Sequence, residues 1–335
     1  MKMSVLASLL RLSAAMALMG LGMSVQAETC SDVRDMDAAT RSSMENAALQ
    51  MFGSLARGDV ASMRQNAIPT LASNFAGVES AVNANKPVMG AGQPSVRATY
   101  LLEAGGTATL ERAEFLCGVW GTPQFVSFSI PNLPPGRYGV VIEDVKTATG
   151  PYLVTFILQQ QQPSGAWKLA GFPPPKQAAI QGKDAQWFFV KAREYKAKGQ
   201  LRNAWFFYQQ ARSMVMPVDF ISTMPVQKLE REAQQSLPTD LPINGPVDLA
   251  AANGKSYKLT DVFPVVVENN LDLVVKYSLP DVSDTAKTFQ DNVAVISAMV
   301  AKFPEFRETF GGIVARAVAP SGQDYGTLLA MKDIK

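Results

Sequence analysis

Histidine does not occur in this chain. Its absence removes the Ser-His and Cys-His pairs that activate nucleophiles, and with them the commonest protein ligand for metals. Cysteine is nearly absent too. Two residues, Cys30 and Cys117, are too few for a zinc site of ordinary composition. The glycine-rich stretches Gly90-Ala91-Gly92 and Gly311-Gly312 lack the strand-loop-helix setting and the following lysine of a phosphate loop, so both read as turns. No cofactor is expected from any of these patterns.

Charge of one sign is also missing. The 31 basic residues stand against 29 acidic ones, and two of the basic residues, Lys2 and Arg11, lie in the first 27 positions. Without those the balance is even. No basic stripe is present, which argues against nucleic acid as a partner. The first 27 residues read as a secretory signal: Lys2 and Arg11 precede an apolar run from Leu12 to Val25, and Val25 and Ala27 supply the small residues of a cleavage site. The run is short for a membrane span. A soluble exported protein is therefore expected, periplasmic or extracellular, with no span left after cleavage near Glu28. An uncleaved anchor is the competing reading. In an oxidising compartment Cys30 and Cys117 are expected to form a disulfide, with two unpaired thiols as the alternative.

What is present divides the chain. Residues 36–66 read as a long helix, a turn at Gly58-Asp59 and a short second helix. The first carries a stripe of Met44, Ala47, Ala48, Met51 and Leu55. A further helical segment is expected over Leu71 to Ala84. From Ser95 the period changes to that of strands: 96–103, 109–119, 126–130, 137–145, 152–160 and 166–172, separated by turn residues as in an antiparallel meander. Helices followed by strands that end in Trp167-Lys168-Leu169-Ala170-Gly171-Phe172 resemble the nuclear transport factor 2-like family. The resemblance covers about 35–175. It implies an α+β unit in which a curved sheet wraps a long helix and forms a conical pocket.

That family includes enzymes similar to ketosteroid isomerase, which use a buried carboxylate as base beside an acidic or phenolic donor. The corresponding candidates are Glu111, Glu114, Glu143, Asp144 and Tyr138. Glu143 and Asp144 are adjacent, so on a strand they face opposite sides. Glu111 and Glu114 also diverge. No pair of acids converges, and all four carboxylates are expected to be solvated.

The stretch from Asp184 to Met216 holds two of the four tryptophans, Trp187 and Trp205, each followed by two phenylalanines. It reads as two helices joined at Lys198-Gly199-Gln200. Ala192, Tyr195, Gly199, Ala204, Tyr208 and Ala211 fall at the spacing of a tetratricopeptide repeat, which the stretch resembles over one repeat length. Four consecutive bulky residues cover every side of a helix. One hairpin therefore cannot hide its own rings, and neighbours must cover them. A third helix is expected over Met224 to Leu237.

Pro173-Pro174-Pro175 is expected to end the sheet unit as a stiff spacer. Residues 238–254 read as a linker, punctuated by Pro238, Pro242, Gly245 and Pro246. A small ββαββ unit comes next, its helix capped by Asp284 and striped by Phe289, Val293, Ile296, Val300 and Phe303. The expected order is thus 1–27 signal, 28–175 sheet unit, 176–237 helical bridge, 238–254 linker and 255–335 α+β unit.

These features point to an exported, non-enzymatic binding or scaffolding protein that captures an apolar small molecule or a protein segment. On the bridge the candidate contact residues are Trp187, Phe188, Trp205 and Phe206. In the sheet unit they are Trp120, Tyr138 and Trp167. A cofactor-free isomerase or lyase with one carboxylate is the alternative, and a purely structural envelope component is a third reading.

Overall fold

The chain enters a sheet before its first helix. In the computed structural model, which describes residues 28–161, 165–267 and 270–335, Thr29–Ser31 (β1) pairs with residues 101–103. The expected signal, 1–27, and the turn residues Ser164, Glu268 and Asn269 lie outside the described residues. Asp37 then starts α1 (Ala38–Arg57) by accepting from the Thr40 amide at 2.8 Å, which satisfies one of the free N–H groups of the first turn. Gly58 ends it with a φ of 70°, and α2 (Val60–Gln65) comes next. The single helix expected over 71–84 is two: α3 (Pro69–Ser73) and α4 (Ala76–Met89). The second runs through Pro87, late enough in the helix that little of it remains.

The fold is α+β, as the order of patterns implies, and its sheets are antiparallel around the N-terminal helices. The meander, however, is corrected. Six strands succeed one another: β2 (Gln93–Ala104), β3 (Leu110–Cys117), β4 (Val126–Leu133), β5 (Gly136–Thr147), β6 (Gly150–Gln160) and β7 (Trp167–Gly171). β2 pairs with β5, not with β3, and the larger sheet runs β1-β2-β5-β6-β7. The β3–β4 hairpin leaves to form a second sheet. The reason lies in β5. Val141 and Val145 face the helices while Val140 and Ile142 face the second sheet, so both faces of the strand are buried. A strand covered on both faces shows no polar alternation, and nothing in its pattern reveals its neighbours.

Three layers result: helices, larger sheet, smaller sheet. Between the first two lie Met44, Phe52, Leu55, Val82, Phe156 and Trp167. Gly139 on β5 permits a close approach there, because a Cβ at that position would meet the Met44 sulfur at 2.6 Å. Between the sheets lie Leu102, Phe115, Phe128, Val140 and Leu153. The Cys30–Cys117 disulfide is formed, with the Cα atoms 5.1 Å apart, and joins β1 of one sheet to the end of β3 in the other.

Pro173-Pro174-Pro175 does not part the sheet unit from the helical bridge. β8 (Lys176–Gln177) folds back onto β6, and β9 (Ala179–Ile180) and β10 (Lys183–Asp184) form a small hairpin. Asp184 caps α5 (Ala185–Ala197) through the Trp187 amide at 2.9 Å. Gly199, at φ 76°, turns the chain into α6 (Leu201–Val215) while the Gln200 amide closes on the Tyr195 carbonyl, a helix stop that a residue with a Cβ would strain. β11 (Ile221–Thr223) then returns to pair with β4 before α7 (Met224–Gln234).

The expected linker is structured. Leu241 is buried and Val247–Ala250 is a strand, β12, paired with β13 (Ser256–Val267). The four expected strands thus become five, in the order β12-β13-β14-β15-β16, with β14 (Asn270–Ser278), β15 (Gly312–Val318) and β16 (Asp324–Ala330). β14 and β15 are parallel, and α8 (Thr285–Lys302) supplies the crossover that parallel neighbours require. After β16, Met331–Asp333 is a short 3-10 turn. Of the stripe expected on α8, Ile296, Val300 and Phe303 are buried, but Phe289 is 45 % exposed and Asp291 and Asn292 take buried positions.

Phe188, Phe206, Phe207 and Tyr208 of the bridge share one core with Leu273, Val275, Met299 and Phe306 of the C-terminal unit. Residues 176–335 are therefore expected to unfold together. Cleavage of the 238–254 segment by limited proteolysis should leave the two fragments associated on gel filtration. The disulfide closes a loop with a sequence separation of 87 residues. Its removal by Cys30→Ser and Cys117→Ser should cost about 4 kcal/mol in urea denaturation, as expected for a loop of that length.

Candidate functional site

The two groups of candidate aromatics meet different fates. On the bridge, Phe188, Trp205 and Phe206 are buried. Phe206 lies edge-on to Phe306 and Phe310 at 5.9 and 5.7 Å. These rings are core, and the expectation that they offer a contact surface is corrected: the C-terminal unit already covers them. Trp187 is half-buried, with the Lys183 ammonium 4.5 Å above its ring. In the sheet unit, Trp167 is buried between the helices and the larger sheet, again a core position. Trp120 is 71 % exposed, its ring edge-on to Phe125 at 4.7 Å. Tyr138 lines a cavity.

That cavity, of about 490 Å³, opens between the two sheets. The larger sheet contributes Leu102, Val140 and Ile157, which the β2–β5–β6 register brings side by side. The smaller sheet contributes Ile130 and Leu133 of β4. Phe220 forms part of the wall, and its carbonyl accepts from the Ser129 amide at 2.9 Å, which fixes the segment just before β11. Ile68, Pro69 and Thr70 form the mouth. They are held there because the Ile68 amide donates to the Leu169 carbonyl at 2.9 Å and the Leu169 amide donates to the Asn66 carbonyl at 2.8 Å. The elements around the cavity are thus pinned by backbone hydrogen bonds. Sequence reasoning finds Tyr138 but misses these neighbours, because they come from strands whose pairing is not legible.

The polar groups at the cavity are few and neutral. The Tyr138 hydroxyl donates to the Pro134 carbonyl at 2.9 Å and accepts from Gln159 Nε2 at 3.1 Å. Burial raises its pKa, so the phenol stays protonated at neutral pH. Gln159, Gln161 and Thr70 complete the set. Among the described residues no Asp, Glu, Lys or Arg lines the cavity.

The carboxylates lie elsewhere. Glu111 and Glu114 are exposed, and Asp144 pairs with Arg97 at 2.9 Å on the surface. Glu143 departs from the expectation of a solvated charge. It is fully buried, on the face of β5 that carries Val141 and Val145 beneath the helices, opposite to Val140. Neither carboxyl oxygen has a hydrogen-bond partner among the described residues. Desolvation alone raises its pKa to about 8, so it is held as the neutral acid at pH 7. Glu143 lines neither the cavity between the sheets nor the groove where the sheet unit meets the bridge. Among the described residues no cluster of Asp, Glu or Cys could hold a metal ion, and no helix is long and apolar enough to cross a membrane.

The buried acid has a measurable consequence. Between its ordinary pKa near 4.5 and the folded value of about 8, the unfolded chain has released this proton and the folded chain retains it. Stability from this residue is therefore greatest at low pH and falls by about 1.4 kcal/mol per pH unit across that window. Urea denaturation of Glu143→Gln at pH 5 and pH 8 should lack that part of the slope. Equal slopes in both proteins would mean that the carboxyl is not sealed.

Compared with known proteins, the chain matches no family model, no curated protein and no solved structure.

Proposed function

We propose that this is an exported, non-enzymatic binding protein that holds a neutral apolar small molecule in the cavity between the two sheets of a nuclear transport factor 2-like unit. The observation that carries the reading is the lining: apolar side chains from three directions, a few neutral polar groups and, among the described residues, no charge. A cavity of about 490 Å³ is within the range that small ligands occupy, and a few fixed polar groups can orient what apolar walls retain. An ionised ligand would meet no counter-charge there and would lose its hydration without compensation. Export accords with the Cys30–Cys117 disulfide, which persists in oxidising compartments.

A cofactor-free isomerase or lyase is the second reading, and Glu143 is the observation that favours it. A neutral acid in apolar surroundings is what such chemistry uses. Against it, the carboxyl has no donor within reach among the described residues and faces away from the cavity. Its substrate would have to part the helices from the sheet.

The test uses N-phenyl-1-naphthylamine, a neutral apolar probe whose fluorescence rises out of water. The purified protein should bind it at one site with micromolar affinity. Ala170→Phe, a strand-compatible change that fills the cavity, should weaken binding at least tenfold while leaving the thermal midpoint nearly unchanged. Full binding by Ala170→Phe would refute the reading.

A further inference from the structure

A second cavity, of about 430 Å³, lies where the sheet unit meets the helical bridge. Its walls are Phe189 of α5, Val215 at the end of α6, Met224 and Leu229 of α7, and Pro123 from the loop that follows β3. It differs from the first in electrical character. Lys228 and Arg231 line it, and among the described residues no carboxylate does. The two cations are three residues apart on α7, so they share one side of that helix. Both are exposed, and among the described residues neither makes a salt bridge. Their neighbours Glu230 and Glu232 form their salt bridges with other residues, Arg212 at 2.8 Å and Arg193 at 2.5 Å, while the Lys228 charge acts on Glu232 only at longer range. The Lys228 ammonium instead stands 5.8 Å from the Phe189 ring, which joins the charged rim to the apolar wall.

The loop on the other side is apolar and fixed. Leu116 near the end of β3 and Val119 and Trp120 in the loop are 62, 67 and 71 % exposed, and Gly121, the next residue, lines the cavity. The Cys117 disulfide anchors the base of the loop, and the Thr122 hydroxyl donates to the Val119 carbonyl at 2.7 Å within it. Large apolar side chains held out in water beside a groove mark a binding surface more often than they mark chance.

We infer that this groove binds a single-chain anionic amphiphile, its tail along Phe189, Val215, Met224 and Leu229 and its carboxylate or phosphate head against Lys228 and Arg231. The apolar walls alone would accept any tail. The two cations, neither of them in a salt bridge, select the head, because an anion gains two charge-assisted contacts there and a cation is repelled. A free fatty acid and a lysophospholipid carry the same chemistry. This site is separate from the neutral cavity between the sheets, and each can fail without the other.

The test is calorimetric titration of the purified protein with dodecanoate and with lysophosphatidylglycerol, both below their micellar concentrations, and with dodecanol as the neutral control. Dodecanoate should bind at one site. Lys228→Glu with Arg231→Glu should weaken it at least tenfold without changing dodecanol binding. The milder pair Lys228→Gln with Arg231→Gln should weaken it in the same direction if the reversal does not fold. Ala185→Phe, at the wall of the groove, should weaken dodecanoate, and Ala170→Phe should leave dodecanoate unaffected. Tighter binding of lysophosphatidylglycerol than of dodecanoate would assign the head to phosphate, and the reverse would assign it to carboxylate. Dodecanoate binding that survives charge reversal, or that is lost in Ala170→Phe, would overturn the inference. So would association with phosphatidylglycerol vesicles without any binding of the soluble amphiphiles, which would make the exposed loop a membrane contact instead.

Discussion

The aromatic rings of α6 cannot be hidden by one partner, and the arrangement of the C-terminal half is a consequence. Trp205, Phe206, Phe207 and Tyr208 point in four directions and all are buried. Phe207 is covered from within the hairpin by Phe188 and Tyr195, at 5.2 and 5.0 Å. Phe206 faces the other way and needs Phe306 and Phe310, which lie far along the chain. Tyr208 takes its cover from α7, where its hydroxyl donates to Glu232 at 3.1 Å. Each buried aromatic ring contributes on the order of 2–3 kcal/mol when it leaves water. A hairpin that kept these rings exposed would have little to hold it together. The C-terminal unit is thus the missing wall of the bridge.

Polar groups fix how that wall is set. On α8, Asp291 and Asn292 are buried, and each is engaged. Tyr257 and Lys255 both donate to Asp291 at 2.6 Å. Asn292 accepts from the Tyr277 hydroxyl at 2.8 Å and donates to Thr327 at 2.9 Å. Burial acts to raise the Asp291 carboxyl, but the hydrogen bonds from Lys255 and Tyr257 outweigh it and leave the pKa below the ordinary value. These contacts tie the helix to β13, β14 and β16 at once. They set its rotation, and Phe289 is turned to solvent as a result. Leaving such groups unpaired in the core costs more than exposing one ring partly.

That competition explains what can be read from the chain and what cannot. The local signals are sound where the cause is local: the Asp284 cap, the helix breaks at Gly58 and Gly199, the extents of most strands, and the need to cover the rings of 187–208. Strand partnership is not legible, because β5 is buried on both faces and its pattern carries no direction. Residues 238–254 resemble a linker because Pro and Gly mark breaks, yet the four residues between Pro246 and Ala251 suffice for an edge strand. The cavity residues come from five strands, β2, β4, β5, β6 and β7, and from the segments around 68–70 and Phe220, so only Tyr138, an aromatic among turn residues, stands out. Glu143 is visible as a residue but its face is not. The same parity that sends Val140 to the cavity sends Glu143 beneath the helices.

Glu143 and Asp291 make an instructive pair: both are almost closed to water, Glu143 the more deeply, and the outcome is opposite. Asp291 sits where Lys255 and Tyr257 have donors to offer, and it remains ionised. Glu143 sits among valines with none, and it keeps its proton. The difference is one of surroundings, not of residue type. An ionised Glu143 would place an uncompensated charge between α1 and the larger sheet, the layer in which Met44 packs against Gly139 with no room for a Cβ. The sheet unit therefore tolerates this acid only while it is neutral. Both candidate binding cavities lie away from that layer, one between the sheets and one at the bridge. A ligand in either would leave the helix-sheet packing, and the proton within it, undisturbed.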